Sequence, residues 1–464
     1  MSKISRDRRK FLKVAGTVGG ATIVAGCTGG GGGGESTDSG GGTTGTASSS
    51  GGTSSGGDDI LIGYGGGLTG KWDYLEDSMG PLLNMAIEEV NAAGGPLDRT
   101  LTLSRRDTQV QVNRARQVLQ QHINTDDANV LMGYNSTVLV PLWDFLQEQE
   151  VPLVTPWMGS TYKDTRGGDN GTPEDLSDDE WVWRSMVSDS ISTATGAISA
   201  ADRGVENFAV LNGTSAGERA WSDAYIASTK PIDQLEMVNR VEVEEGKSTY
   251  QSELSRLFQS DIDMWVLAIG LQDAQTIIRE WEQGGYGVPV TLENALQQEQ
   301  LLEQIKNSVG EVSAEMWMFS GNPTGPVRER VRESYTEYTD QDMIPWNYAG
   351  YDAVMSTALA IERAGSAEPD AIQRNLGPVT RPGDDKVTVT SFAEGKEELA
   401  AGNDINYDGA LSKFDYSDKG NVFAPGQTYE VDVPNTSFNA AETISEEEVR
   451  SILTDQAYQD AIQG

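Results

Sequence analysis

Short β-prone apolar runs alternate with helical stretches of ten or more residues along most of this chain, and the alternation restarts once. In the first half, Ile60-Leu61-Ile62-Gly63-Tyr64 reads as a strand and 74–93 as a helix, stopped by Gly94-Gly95-Pro96. Strands at 101–104, 130–133 and 151–155 follow, with helices at 111–123 and 140–149 between them. The second half runs helix 191–203, strand 208–211, helix 216–229, strand 238–243, helix 250–260, strand 264–269, helix 274–283 and strand 288–292. Strands spaced by helices of that length require crossover connections, hence parallel βαβ units and an open α/β sheet. Two such series in tandem predict two lobes. After Met316-Trp317-Met318-Phe319 come helices at 326–338 and 348–364, then two short strands within 414–431 around Asp418-Lys419-Gly420. Ser445-Glu446-Glu447-Glu448 has the form of a capping box opening a last helix.

The first 57 residues belong to none of this. Arg6, Arg8, Arg9 and Lys10 form a basic start, and Asp7-Arg8-Arg9-Lys10-Phe11-Leu12-Lys13 resembles the twin-arginine export signal, with Asp7 where Ser or Thr is usual. An apolar segment from Val14 leads to Val24-Ala25-Gly26-Cys27, which matches a lipobox whose cysteine thiol receives a diacylglycerol. Residues 1–26 are therefore expected to be a signal peptide, and Cys27 the point of lipid attachment. Residues 28–57, almost entirely Gly, Ser and Thr, cannot bury apolar surface; about thirty such residues reach roughly 30 Å as a flexible tether.

Charge narrows the function classes. There are 71 Asp and Glu against 34 Lys and Arg, a net charge of −37. Nucleic acid and anionic lipid headgroups both need basic patches, so neither is an expected partner. The acids are scattered through periodic apolar segments that also carry ten Trp, which argues for a folded chain. We read the excess as adaptation to very high salt, where the Debye length falls to about 3 Å or less and self-repulsion is screened. The acidic stretch 164–180 is expected to be a solvated loop. One cysteine and one histidine exclude a disulfide framework and a Cys/His zinc cluster, so no metal or other cofactor is expected. His122, in a helical stretch, is expected at the surface or its boundary rather than in catalysis. No G-x-S-x-G nucleophile motif and no metal-ligand spacing occurs, and the chain is not expected to be an enzyme.

Ligands of open α/β sheets sit beyond the C-terminal ends of the strands. That rule selects Gly65-Gly66-Gly67-Leu68-Thr69-Gly70, Tyr134-Asn135-Ser136-Thr137 and Thr155-Pro156-Trp157-Met158-Gly159-Ser160-Thr161 in the first half. In the second half it selects the loop at 211–217 and Leu292-Glu293-Asn294-Ala295. Hydroxyls and free amides opening a helix form a carboxylate site, although each of these residues reads equally well as a helix cap. The glycine run lacks the Lys and Ser/Thr of a phosphate loop and is not G-x-G-x-x-G, which argues against nucleotide binding.

Several segments in order then resemble one family. Gly65 to Gly70 matches its glycine-rich opening, and Ala86 to Leu97 its first helix and Asn-x-x-Gly-Gly exit. Arg106-Asp107 follows the second strand, and Val151-Pro152-Leu153-Val154-Thr155-Pro156 matches its Ile-Pro-x-Ile-Thr/Ser-Pro strand. Gly409, Phe414, Asp415 and Gly420 match its final return. Over roughly 58–431 the chain resembles the type I periplasmic solute-binding proteins of ABC importers, in the branched-chain amino acid and amide branch. The resemblance implies an α/β fold of two lobes, each an open, mainly parallel sheet flanked by helices, joined by a hinge of three crossovers. By that analogy lobe 1 holds 58–185 and 318–413, lobe 2 holds 186–317 and 414–432, and 433–464 is a C-terminal tail with a helix. It further implies capture of a small molecule, delivery to membrane permease subunits, and a lipid-anchored monomer on the extracellular face. The ligand-binding residues implied or selected are Thr69, Trp72, Tyr74, Ser136, Thr137, Trp157, Met158, Ser160, Glu293 and Trp346. Ser136 and Ser160 would take an amino acid's carboxylate and Glu293 its ammonium. The aromatic that relatives present after the strand at 208–211 falls near Ala216, so an amide, urea or aromatic acid stays open beside an amino acid. A ligand-sensing receptor subunit is the alternative; no membrane span or output module is read between the body and Gly464.

Two outcomes follow from the charge and the lipobox. The melting midpoint should lie well below its multimolar-KCl value in dilute buffer, because screening removes repulsion among the carboxylates; equal midpoints would contradict the high-salt reading. The Cys27→Ser variant should leave the membrane fraction, since the diacyl chains supply the anchor at about 0.8 kcal/mol per buried CH₂.

Overall fold

The computed structural model describes residues 59–463 except 71–72, 165, 167–179, 311, 313 and 342. Two sheets form the body. The first has five strands, β1 (Ile60–Gly66), β2 (Leu101–Asp107), β3 (Val130–Gly133), β4 (Leu153–Thr155) and β5 (Val182–Arg184), in the order β2-β1-β3-β4-β5 with every pair parallel. The second has seven, β6 (Asn207–Gly213), β7 (Glu236–Val243), β8 (Met264–Ala268), β9 (Val290–Leu292), β10 (Met316–Gly321), β13 (Gly426–Asp432) and β14 (Ser437–Ile444). Its order is β14-β13-β10-β9-β8-β6-β7. From β7 to β10 it is parallel and repeats the 2-1-3-4-5 order of the first sheet; β13 and β14 add antiparallel. A small parallel pair, β11 (Lys386–Val389) and β12 (Asp404–Tyr407), lies apart from both.

Both faces of each sheet are covered, which is why strands such as Met264–Ala268 are apolar throughout rather than alternating. Helices Asp73–Ala92 and Tyr348–Ala364 pack Leu82, Leu83, Val354 and Leu359 into one core of the first lobe; helix Val112–Asn124 contributes Val118 and Leu119 to the other. In the second lobe, helices Asp189–Asp202 and Ala216–Thr229 cover one face and helices Leu271–Gly284 and Glu299–Val309 the other. The chain passes between lobes three times, and the crossings lie side by side. The Arg184 amide donates to Gly420 O (2.8 Å), that of Asn322 to Pro425 O (2.8 Å), and that of Thr324 to Leu411 O (2.9 Å). The two-lobed α/β fold with three crossovers is thus the one the sequence resembles.

Several local readings change. The stretch 140–149 is not one helix: helix Ser136–Leu139, a 3-10 turn at Val140–Leu142 and helix Trp143–Gln147 follow one another, with Pro141, which lacks an amide hydrogen, in the turn. Residues 414–425 form no strand apart from a single bridge from Asn421 to Arg184, and the late hairpin is β13–β14. Residues 433–464, read as a tail, instead supply β14 to the second sheet, and Val449, Ile452 and Tyr458 of their helices pack against Ile191 and Ala194. Met316–Gly321, split between lobes at residue 318, lies wholly in the second sheet. His122 is not peripheral: it is fully buried under β1, its ring where a side chain on Gly63 would fall, and burial holds its pKa down.

Candidate functional site

In each half the strand order reverses between two neighbours, β1 and β3 in the first lobe and β6 and β8 in the second. The loops leaving their C-terminal ends diverge and open a crevice there. The two crevices face one another across a cavity of about 230 Å³. Its first-lobe wall includes Gly65–Gly67 at the end of β1, Thr108 and Val110 after β2, Asn135–Thr137 after β3, and Trp157 and Gly159 after β4. The second-lobe wall includes Ser215 and Glu218 after β6, Ile269–Leu271 after β8 and Glu293–Leu296 after β9. Met186 and Asp189, beside the first crossover, close one side.

Of the residues selected from the sequence, Ser136, Thr137, Trp157, Glu293 and Trp346 line this cavity. Ser160 does not: it stands behind Ser136, whose hydroxyl oxygen accepts from the Ser160 amide (3.2 Å), and its own hydroxyl accepts from the Tyr162 amide. Thr69 is exposed, and its hydroxyl donates to Asp107 Oδ2 (2.5 Å), tying the loop after β1 to the end of β2. Met158 is fully buried in the first-lobe core. Trp72, the Tyr74 side chain, Cys27 with residues 1–58, and most of the acidic insertion lie outside the described residues.

The two glycines that end β1 are there for close approach. A Cβ on Gly65 would fall 2.3 Å from the Tyr134 ring, and one on Gly66 2.2 Å from Glu76 Oε1. Glu76, on the first turn of helix Asp73–Ala92, accepts from the Tyr64 hydroxyl (2.7 Å) and pairs with Arg105 (2.9 Å). Tyr64 in turn accepts from Trp157 Nε1 (2.8 Å), which fixes that indole at the cavity wall. Burial holds the Glu76 carboxyl above its ordinary range, opposed by the Tyr64 bond and by Arg105. The second lobe repeats the device: a Cβ on Gly213, the last residue of β6, would fall 2.1 Å from Glu218 Oε2. Glu218 closes a capping box with Ser215 at the start of its helix.

Sequence reasoning missed Glu76, Asp189, Glu218 and Trp221. The aromatic sought near Ala216 is supplied by Trp221, further along the same helix; it lines the cavity, stacks near Tyr225 and Phe319, and donates to Asn294 Oδ1 (2.9 Å). The glycine ending each first strand, followed by a glutamate on the next helix, was the available signal for Glu76 and Glu218. Asp189 gave none, because its place depends on the first crossover. It leads helix Asp189–Asp202 and packs over Gly159, and burial pushes its carboxyl up to about 7, with Arg184 lowering and Asp164 raising it. Below it, Asp164 pairs with Arg184 and accepts from Ser188 Oγ (2.6 Å) and Ser190 Oγ (2.7 Å), tying the first lobe to the first helix of the second. Glu293 is 7% exposed, at the end of β9, with its amide donating to Leu267 O (3.0 Å). Asn135 Oδ1 and Trp346 Nε1 are buried at the cavity without a hydrogen-bond partner among the described residues. Among the described residues no group of His, Cys, Asp or Glu could hold a metal ion.

Such a two-lobed crevice defines a small-molecule binding protein. Residues 59–436 match the family described as periplasmic binding protein, and the chain belongs to it. Its members are solute-binding proteins, and this chain is a binding protein rather than an enzyme. No curated protein matches the chain in sequence. Solved structures share the fold at low identity. A leucine binding protein from Thermotoga maritima MSB8 is 17% identical, covering 84% of this chain and 99% of that one, with TM-score 0.66. The branched-chain amino acid transporter substrate binding protein from Streptococcus pneumoniae, in complex with isoleucine, is 15% identical over 83% and 99%, with TM-score 0.65. A solute binding protein of an ABC transporter from R. palustris, in complex with benzoate, is 13% identical over 84% and 99%, with TM-score 0.63. No helix among the described residues is long and apolar enough to cross a membrane.

Asp189 yields a pH dependence. A carboxyl raised above its unfolded value binds more protons folded than unfolded, so it contributes stability below about pH 4 that is lost as pH rises towards about 7. Asp189→Asn removes that titration. Its stability relative to the parent should climb between about pH 4 and about pH 7 and level off above; urea unfolding at fixed high salt measures it, and a pH-independent difference would contradict the assignment.

Proposed function

We propose that this chain is the capture subunit of an ABC importer, taking an amino-acid-like solute between its lobes and presenting it to membrane permease subunits. The observation that carries the reading is the division of chemistry across the cavity. One wall offers the hydroxyls of Ser136 and Thr137 at the start of a helical turn; the facing wall offers the Glu293 carboxylate at a strand end. A zwitterion needs these two ends: hydroxyls and amides for its carboxylate, an acid for its ammonium. A cavity of about 230 Å³, smaller than the pockets of drug-sized ligands, suits a small solute. The leucine-binding and isoleucine-bound relatives support the same class.

The indoles of Trp157, Trp221 and Trp346 favour a second reading, a flat amide, urea or aromatic acid, and the benzoate-bound relative supports it. The carboxylates on both walls oppose the acid among these. In either case the twin-arginine and lipobox signals support a position on the outer face of the membrane, held at Cys27, and a monomer suffices because both walls come from one chain.

Native mass spectrometry of the purified protein identifies the small molecule that copurifies, and calorimetric titration at high salt then measures Glu293→Gln. Affinity should fall by roughly 2–4 kcal/mol, the cost of breaking a buried charge pair, while the ligand-free melting point stays nearly unchanged. Unchanged affinity would return Glu293 to a structural role and remove the ammonium contact.

A further inference from the structure

The family match ends at residue 436, and the chain beyond it does more than extend the second sheet. After β14 come two short helices, Glu446–Leu453 and Gln456–Gln463. Their Val449, Ile452 and Tyr458 form one apolar cluster with Ile191 and Ala194, and that cluster also takes in Val187 and Phe423, which belong to the crossings between lobes. Val187 lies in the first crossing, between β5 and helix Asp189–Asp202, and packs against the first-lobe core as well. It also seats the second crossing: a Cβ on Gly321, the last residue of β10, would fall 2.4 Å from Val187 Cγ2. Phe423 lies in the third, between Gly420 and Pro425, whose carbonyls accept the amides of Arg184 and Asn322. The Arg450 guanidinium lies 3.8 Å from the centre of the Phe423 ring and pairs with Glu446 one turn back, which steadies it there.

Tyr458 carries the span on to the first lobe. It is buried beside Ser190 and close to Asp164 and Arg184. Asp164 belongs to the first lobe and holds Arg184, Ser188 and Ser190 at the first crossing. The last helix thus shields one side of that polar contact, and hydrogen bonds to a carboxylate are stronger where water competes less.

Lobes that open and close turn about their crossings, where a few residues absorb the change in backbone angle. A close-packed cluster laid across those crossings does not stretch with them; it keeps its arrangement or comes apart. We propose that residues 445–463 are a strap across the hinge, holding the lobe angle at which both walls line one cavity. A segment outside the cavity then sets how much of the protein is ready to bind. The proposal rests on the capture reading and concerns its regulation, since apparent affinity scales with the fraction of molecules in the competent arrangement.

Hydrogen exchange of the ligand-free full chain in molar KCl, comparing the parent with the double variant Arg450→Ala and Tyr458→Ala, tests this. The amides of Arg184, Asp189 and Asn322, which bond across the crossings, should exchange roughly ten-fold faster, while those of β8, paired on both sides within the second sheet, keep the parent rate. Glu447→Ala, at an exposed position of the same helix, should change neither. Crossing amides at the parent rate in the double variant overturn the strap. Equal acceleration at the crossings and in β8 overturns it too, because the helices then serve overall stability alone. Should the double variant fail to fold, Arg450→Ala alone, at a side chain 53% exposed, decides in the same way. No ligand enters this measurement, so its failure leaves capture standing; a chain that neither copurifies with a small molecule nor binds one overturns capture while the exchange pattern at the crossings stands.

Discussion

A carboxylate withdrawn from water must meet a cation or several hydrogen-bond donors, and a chain with 71 acids is organised around that demand. Asp352 shows it best. It is fully buried at the base of the third crossover and accepts from the Tyr407 hydroxyl and from the amides of Ala410 and Leu411, each at 2.8 Å. Burial still pushes it up to about 7, so these three bonds oppose the cost of desolvation without erasing it. They hold the segment entering the third crossing against helix Tyr348–Ala364. Asp164 plays the corresponding part at the first crossing, with Arg184 and two serines. The lobes are thus joined by carboxylates set in donors, Asp352 fully buried and Asp164 half-buried, and the cavity they enclose is lined by carboxylates too.

This distribution also explains why so acidic a chain folds. Among the described residues most of the acids stand on the outside, where water solvates them. Those inside are each held by particular partners. Glu218 caps a helix, Glu76 is set between a tyrosine and an arginine, and Asp352 fixes a crossover. The helix starts that carry Glu76, Asp189 and Glu218 are met by acids of their own, which leaves their dipoles little attraction for an anion, whereas the turn opening at Ser136 carries none.

The overall architecture was legible because parallel strands buried on both faces are continuous apolar runs, and Val130-Leu131-Met132 or Met264–Ala268 cannot be mistaken for surface. The loops at the strand ends were legible for the same reason, and five of the selected residues reach the cavity. What failed was anything that depended on crossings between lobes. Asp189 is positioned by the first of them, and β14 by a hairpin in which alternation is weak because the strand lies at an exposed sheet edge. Ser160 was selected on adjacency to the right strand, yet in a loop one residue's offset separates lining a cavity from supporting the residue that does. His122 was misjudged because a single polar residue on an amphipathic helix says nothing of its depth; the close glycine at position 63 was the hint.

The threefold passage of the chain has a consequence for the order in which the molecule is assembled. The first sheet is complete by Arg184, but the core against one of its faces is filled by Tyr351, Val354 and Leu359 of a helix that begins only at Tyr348, with Phe392 and Ile405 still later. As the polypeptide emerges from the ribosome, that face has no partner while the whole parallel portion of the second lobe is made. Contacts so distant along the chain are slow to form and keep apolar surface in reach of other chains meanwhile. The first lobe, although it starts first, is therefore completed only after the parallel portion of the second, and the second gains β13, β14 and its last helices later still, so the protein reaches its native state only after nearly all of it has been synthesised.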